Sequence, residues 1–264
     1  MNITDTARMG RLIAWANRAR EIGAARGMTV TAKAIQAEID TIGNRRFILT
    51  IMGKGKRGKS TLVNALLGRR DDTVAPIDKL PASSAITRYF RADRESVTVS
   101  FRDGHKEEVG YSSIRSYVTE ELNPENTKQV ESVDVLGPFP GLDSDLVLAD
   151  TPGAGSIHEH HDQILHSVLP QSDAVLFLVT ADSPLDRQEV ELLARVKAAD
   201  IRRFFFVINK ADTTDPKAIE EGVQHNRRVL TEANIPCNRI YQISANDSAH
   251  EKLAGCAHPK LAFG

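Results

Sequence analysis

An eight-residue segment, GKGKRGKS at 53–60, restricts the fold of this chain more than any other feature of its sequence. It matches the pattern G-x-x-x-x-G-K-[ST], with an apolar run at 47–52 before it and helical spacing at 61–67 after it. Glycines in such a loop let backbone N–H groups surround phosphates, and the next helix adds the positive end of its dipole. The segment therefore predicts a strand, a phosphate-binding loop and a helix in succession.

The side chains of this loop predict separate roles in phosphoryl transfer. We expect Lys59 to reach the β- and γ-phosphates and the Ser60 hydroxyl to ligate Mg²⁺. Lys56 and Arg57 place positive charge where negative charge develops in the reaction, and Lys56 and Lys59 are therefore candidates for catalysis. The predicted nucleotide contacts here are Gly53, Gly55, Lys56, Arg57, Gly58, Lys59, Ser60 and Thr61.

A second motif, Asp150-Thr151-Pro152-Gly153, closes the apolar run at 146–149. In an open α/β sheet, a carboxylate at the C-terminal end of a strand lies where the metal of a bound nucleotide sits. We therefore expect Asp150 to hold Mg²⁺ through water and the Gly153 N–H to meet the γ-phosphate. Alone, such a tetrapeptide is also a common turn.

A third motif, Asn209-Lys210-Ala211-Asp212, follows the apolar run at 204–208. The Asp212 carboxylate can accept hydrogen bonds from guanine N1–H and N2–H₂ together, whereas adenine offers no such pair and leaves the charge unpaired. Asn209 is expected to support the base and its loop, and the Lys210 stem to cover the purine face. A fourth loop around the base is predicted at Ser244, Ala245 and Asn246. GTP and GDP are therefore the expected ligands.

The remaining pattern predicts an α/β fold of the P-loop type, with a mostly parallel central sheet flanked by helices. Buried parallel strands are indicated at 47–52, 146–149, 174–179 and 204–208, and helices at 61–67, 185–197 and 216–233. Alternation at 97–101 before Asp103-Gly104 predicts an antiparallel hairpin that extends one edge. Residues 1–45 are predicted to form an N-terminal pair of amphipathic helices, interrupted at 23–31, that is part of a helical bundle or packed on the domain at 46–264.

Composition excludes some classes of partner. Lys plus Arg total 34 and Asp plus Glu 35, so the formal charge of −1 gives no overall attraction to nucleic acid, and we expect no nucleic-acid partner. No apolar run approaches the roughly 18 to 20 residues that cross a bilayer. We expect a cytoplasmic protein with a sizeable core.

Residues 47–245 resemble the dynamin superfamily of large GTPases, specifically bacterial dynamin-like proteins. The resemblance lies in GKGKRGKSTLVNALLG, LPASSAITRYF, DTPGAGSI and SDAVLFLVTADSPL. It implies a dynamin-type GTPase domain at 46–264 that hydrolyses GTP to GDP and phosphate and dimerises across its nucleotide face. It also implies a helical stalk that assembles on membranes.

The resemblance further implies a hydroxyl that binds Mg²⁺ and orients the attacking water. Ser84 occupies that place, with Thr87 as the alternative register. Because Ala154 follows Gly153, no switch glutamine is available to orient the water. Lys56 stands where eukaryotic dynamins carry a serine that helps to place a monovalent cation, so its ammonium either replaces that cation or points to solvent.

The chain ends at Gly264 without room for a stalk, so we expect either one part of a longer protein or a minimal relative. Any membrane contact is expected to be peripheral and to come from residues outside this chain. Two other functions stay open: a monomeric regulatory GTPase of the ribosome-assembly or tRNA-modification type, and a GTP-binding scaffold with little turnover. The stretch LPASSAIT favours the dynamin-like interpretation.

Overall fold

The computed structural model describes most of the chain in two compact units. One unit extends to Arg46 and the other begins at Phe47. The described residues are 3–43, 46–69, 73–77, 85–151, 168–180, 182–199, 201, 203–237 and 239–245.

The first unit is a pair of helices, as the sequence predicts. Helix α1 spans Ile3–Ala25 and α2 spans Thr29–Gly43, joined by a turn in which Gly27 has φ 74°. The break between the helices is shorter than the predicted interruption at 23–31. Arg20 donates a hydrogen bond to Gln36, linking the two helices. Within the part of the chain that the structure describes, no helix is both long enough and apolar enough to span a membrane.

The described part of the second unit contains a single nine-stranded sheet. The strands are β1 Phe47–Met52, β2 Ile86–Arg91, β3 Ser96–Phe101, β4 Lys106–Val109, β5 Val130–Gly137, β6 Leu146–Asp150, β7 Ala174–Thr180, β8 Phe204–Asn209 and β9 Ile240–Gln242. Their spatial order is β4-β3-β5-β2-β6-β1-β7-β8-β9. β1, β6, β7, β8 and β9 are mutually parallel, whereas β2 pairs antiparallel with β6 and β3 pairs antiparallel with both β4 and β5.

Helices cover both faces of this sheet because its strands are apolar on both sides. Helix α3, Lys59–Leu67, and the short α4, Arg115–Val118, pack on one face through Val63, Leu67 and Val118. Helices α5, Arg187–Ala198, and α6, Pro216–Glu232, pack on the other through a core that contains Phe177 and Phe206. The predicted P-loop type of α/β fold is thereby confirmed.

Most regular elements agree closely with the predicted ones, but three strands, β2, β5 and β9, were not predicted. β1 matches its predicted bounds, and the hairpin of β3 and β4 lies at one edge of the sheet as expected. Asp215 caps α6 by accepting hydrogen bonds from the N–H groups of Lys217 and Ala218, with Pro216 as the first helical residue. β2 and β5 were missed because their sequences, ITRYFR and VESVDVLG, have neither a continuous apolar run nor a strict alternation, and β9 because it has only three residues.

The buried amide of Asn64 on α3 ties the chain that leaves this helix back to it. Its Nδ2 donates to the Ala75 carbonyl at 2.8 Å, and its Oδ1 accepts from the Ala75 N–H at 3.2 Å. Asn64 and Ala75 are both at most 5% exposed. One side chain therefore satisfies both backbone groups of a buried residue just after the phosphate-loop helix.

Asn64→Ala is expected to reduce the free energy of unfolding by about 2 to 4 kcal/mol, because it leaves the buried N–H and C=O of Ala75 without partners. The midpoint of urea unfolding measures this loss at unchanged slope. Asn17→Ala is the control, since it removes an amide bond to Ile13 within α1 and introduces a better helix former. A wild-type midpoint for Asn64→Ala would contradict the role of this amide.

Candidate nucleotide and metal site

The predicted functional segments that the structure describes gather at one edge of the sheet. β1, β6 and β8 run parallel within it, so the residues that follow their C-terminal ends lie along the same edge. The phosphate loop follows β1, Asp150 is the last residue of β6, and Asn209 is the last residue of β8. This is the edge at which open α/β sheets bind nucleotides.

Two glycines set the path of the phosphate loop. Gly53 has φ 143°, and a Cβ there would lie 2.5 Å from the carbonyl oxygen of Leu178 in β7. Gly58 has φ 90°, and a Cβ there would lie 2.4 Å from Nδ2 of Asn209. Side chains at these positions would push the loop off the sheet, so both positions require glycine.

The Lys59 side chain extends back across the phosphate loop to its first residues. Its ammonium donates to the carbonyl oxygens of Gly53 at 2.9 Å and Lys54 at 3.2 Å, and the residue is only 7% exposed. Burial lowers the pKa of Lys59, and the charge of Asp150 partly opposes this effect. The buried cation lies at the start of α3, where the helix dipole also favours an anion.

Asp150 carries the clearest sign of a metal site. Its Oδ2 accepts a hydrogen bond from the Ser60 hydroxyl at 3.3 Å, and its buried Oδ1 has no hydrogen-bond partner among the described residues. Burial raises the pKa of Asp150 to about 6, opposed by Lys59 and by Ser60. A carboxylate beside a hydroxyl is a donor set that suits Mg²⁺, which prefers oxygen ligands. Ser60 and Asp150 therefore fit the predicted metal.

Of the two candidates for the switch hydroxyl, Ser84 and Thr87, the described residues include Thr87. Thr87 lies within β2, directly opposite Asp150 in the antiparallel register, and is 4% exposed. Paired residues of antiparallel strands present their side chains on the same face of the sheet. Ser84, Gly153 and Asn246 lie outside the described residues.

Asn209 joins the phosphate loop to the predicted base loops. Its Nδ2 donates to the Arg57 carbonyl at 2.9 Å, and its Oδ1 accepts from the Ala245 N–H at 2.9 Å. The Ala211 N–H donates to the Ile243 carbonyl at 3.1 Å, so the loop after β8 is also connected to the loop after β9. The predicted support of a loop by Asn209 takes the form of these two bonds.

The side chains predicted to contact the base, Lys210 and Asp212, follow Asn209. Lys210 has φ 60°, and its carbonyl accepts from the hydroxyls of Thr213 and Thr214. Asp212 is exposed on the short turn Ala211–Thr213, and no described residue forms a hydrogen bond or ion pair with its carboxylate. Its oxygens remain free to accept hydrogen bonds from a ligand.

The two cations predicted to meet phosphate charge differ from each other. Lys56 is exposed at φ 63°, and its ammonium has no hydrogen bond or ion pair within the described residues. Arg57 is 3% exposed, and its guanidinium forms an ion pair with Glu189 at 2.9 Å. Glu189 and its partner Asp186 were not predicted as part of the site. The spacing Asp-x-x-Glu at 186–189 does indicate the start of a helix, but not this long-range pairing.

The comparisons with known proteins agree with this geometry. The sequence model of the dynamin family matches residues 49–211, more than half of the chain. The chain belongs to the dynamin family. Its described part therefore contains a dynamin-family GTPase domain, a GTP-hydrolysing fold of the P-loop type, and the resemblance to bacterial dynamin-like proteins is confirmed.

Related proteins share this domain at moderate identity. An uncharacterized protein encoded in the region 3′ of xynA in Caldicellulosiruptor sp. strain Rt8B.4 is 34% identical over 216 residues, covering 81% of this chain and 53% of the relative. The bacterial dynamin-like protein of Nostoc punctiforme is 25% identical over 228 residues, covering 79% of this chain and 31% of the relative. The chain thus spans about half or less of the length of these curated relatives.

A solved structure shows the same fold in a dynamin. The oligomerised bacterial dynamin pair superimposes with a TM-score of 0.67 at 15% identity, covering 94% of this chain and 47% of that structure. Because the two sequences are only 15% identical, this comparison shows that the two chains share a fold and nothing more.

Asp150→Asn is expected to raise the melting temperature in metal-free buffer at pH 7.5 by several degrees. The raised pKa of Asp150 corresponds to about 3 kcal/mol of unfavourable free energy for the ionised form, and asparagine removes that charge at nearly constant volume. The same change should abolish the strengthening of nucleotide binding by Mg²⁺. Calorimetry and titration with and without Mg²⁺ measure both effects.

Asp143→Asn is the matched control for that prediction, because Asp143 is exposed in the loop before β6. It should change neither the melting temperature nor the Mg²⁺ dependence. A lower melting temperature for Asp150→Asn, with Mg²⁺ dependence intact, would show that this carboxylate is a structural group and not a metal ligand.

Proposed function

We propose that this chain binds GTP with Mg²⁺ and hydrolyses it to GDP and phosphate. One observation supports this most strongly: the Asn209 amide connects the phosphate loop, through the Arg57 carbonyl, to the base loop at Ala245. The end of β8 would thus hold the phosphate loop through Asn209 and also lead directly to Asp212, the proposed guanine-binding carboxylate. That arrangement favours a nucleotide held at both its phosphates and its base.

The residues of the chain would divide the work of hydrolysis. Backbone N–H groups of the phosphate loop and the buried ammonium of Lys59 would bind and orient the β- and γ-phosphates. Mg²⁺, held through Ser60 and Asp150, would supply positive charge against the phosphates. Ser84 or Thr87 would hold the attacking water in line, and Thr87 has in its favour its register opposite Asp150. Gly153, Thr61 and Ser244 would complete the contacts to the nucleotide.

Lys56 would act on the charge that develops in the transition state. Its exposed ammonium is not held by any described residue, so it is available to a ligand or to a second molecule. Arg57 is not available in this way, because Glu189 neutralises its guanidinium. The predicted role of positive charge on this loop therefore falls to Lys56 and Lys59.

Asp212→Asn tests the base assignment. The wild type should prefer GTP to ATP by about 10⁴, since adenine leaves the carboxylate unpaired. The variant should lose that preference and gain affinity for xanthine nucleotides, whose C2 oxygen needs a donor. Fluorescence titrations with the three nucleotides measure the change.

Asp215→Asn provides the control for the base assignment. Asp215 is also exposed, three residues further on, and only caps α6, which asparagine does equally well. It should leave all three affinities unchanged. Equal affinity of the wild type for ATP and GTP would refute the assignment of Asp212.

We further propose that two molecules associate through their nucleotide faces when GTP is bound, and that the whole protein couples this to membrane remodelling. The oligomerised bacterial dynamin pair with the same fold is described as sensing and tethering membranes over long range, which supports this proposal. In the sequence, Ala154 follows Gly153 where a switch glutamine would stand, so a second molecule would complete the site. Membrane contact would be peripheral and would come from residues outside this chain.

The turnover per molecule should therefore rise with protein concentration, and GDP with aluminium fluoride should produce dimers in sedimentation at tens of micromolar protein. GDP alone is the control and should leave monomers. Monomers in both conditions, with turnover independent of concentration, would favour a monomeric regulatory GTPase instead. Nucleotide binding without turnover would favour a scaffold. The comparisons do not support either alternative better than the dynamin-like function.

A further inference from the structure

Arg57 lies in the phosphate loop but directs its charge into the protein. Its Nη2 donates to Glu189 Oε2 at 2.9 Å and to Ser183 Oγ at 3.4 Å, and its Nη1 donates to the Leu178 carbonyl at 3.5 Å. Arg57 and Glu189 are both 3% exposed. The guanidinium is therefore held at three acceptors, which lie in β7, in the connection after it and in the first turn of α5.

The acidic partner of Arg57 is itself fixed. Glu189 and Asp186 form a capping box at the start of α5: the Glu189 N–H donates to Asp186 Oδ1 at 3.0 Å, and the Asp186 N–H donates to Glu189 Oε2 at 3.3 Å. The other oxygen of Asp186 pairs with Lys54, a second cation of the phosphate loop. Two ion pairs thus connect this loop to the first turn of α5.

The backbone of Arg57 is held on its other side. Its carbonyl accepts from Asn209, and it lies between Lys56 at φ 63° and Gly58 at φ 90°. A left-handed conformation is unfavourable for a residue with a Cβ, such as lysine, so external contacts must maintain it. Left-handed residues in a tight loop direct successive N–H groups toward one anion. The contacts of Arg57 therefore act on the part of the loop that would meet a phosphate.

We propose that the Arg57–Glu189 ion pair is a positioning device for the phosphate loop, holding its N–H groups in the geometry that binds the β-phosphate. This inference rests on the proposed function, since it names residues that would set nucleotide affinity. A buried ion pair adds little net stability compared with apolar residues of the same volume, because desolvation offsets the attraction. Its three-point geometry, in contrast, permits only one position of the loop.

The test removes both charges together. Arg57→Met alone would leave a buried carboxylate unpaired, so Arg57→Met/Glu189→Gln is the informative variant, and glutamine retains an acceptor for the capping box. The control is Arg187→Met/Glu191→Gln, the same chemical change in an exposed ion pair of 3.1 Å on the same helix. Thermal melting, affinities for fluorescent GDP and GTP, and steady-state kinetics are measured on the full 264-residue chain.

The expected result separates loop position from folding. The Arg57/Glu189 variant should melt near the wild-type temperature but bind GDP and GTP about 10- to 100-fold more weakly, by the same factor for both, because the β-phosphate is common to them. KM for GTP should rise while kcat changes little, since the contact exists before the transition state. The control variant should match the wild type. Wild-type affinities in a folded Arg57/Glu189 variant would overturn the inference.

A second variant and a second measurement keep the outcome decisive. Arg57→Lys retains the ion pair but cannot reach three acceptors. If the double variant does not fold, an intermediate affinity in Arg57→Lys supports the inference and a wild-type affinity overturns it. Amide hydrogen exchange at 54–59 without nucleotide reads the loop directly: faster exchange in the variants supports the inference, and unchanged exchange overturns it. A wild type that binds no guanine nucleotide would refute the proposed function, and hydrogen exchange would still decide this inference.

Discussion

The candidate site depends on the side-chain amide of Asn209 at the end of β8. This one group donates to the phosphate loop and accepts from the predicted base loop, so it fixes the position of the two loops relative to each other. A neutral amide suits this role because it offers a donor and an acceptor at a fixed separation, without the desolvation cost of a buried charge. Gly58 is the complement of this amide, since any side chain there would collide with it.

The fold of the central strands could be predicted from the sequence, whereas β2 and β5 could not. β1 and β8 are continuous apolar runs with helices on both sides, a pattern that few other structures produce. β2 and β5 each carry a charged residue, Arg88 and Asp134, and these two residues pair across the strands on one face of the sheet. Two polar residues 46 positions apart give no sign in the sequence that each satisfies the other.

The same limit applies to the site. The motifs identified the segments that gather at the edge of the sheet, because backbone geometry there follows from glycines and from short strand-to-helix connections. They assigned Lys59 to the phosphates but did not show which of the other cations face a ligand. Nothing in the sequence distinguishes Lys54 and Arg57 from Lys56 in this respect, and the position of α5 determines that Asp186 and Glu189 neutralise the first two. Which charged side chains pair with each other can be read only from the three-dimensional structure.

The division of charge around the loop has a further consequence for Asp150. With Lys54 and Arg57 committed to α5, Lys59 is the main cation that opposes the burial of this carboxylate, and its attraction is insufficient to bring the pKa of Asp150 back to its ordinary value. A metal ion alone would neutralise the charge of Asp150 but add positive charge near Lys59. A nucleotide alone would neutralise the charge of Lys59 but add negative charge near Asp150. With both bound, each would compensate the charge that the other leaves. Because such coupling is reciprocal in free energy, the proposed metal and nucleotide would strengthen each other's binding at this edge of the sheet.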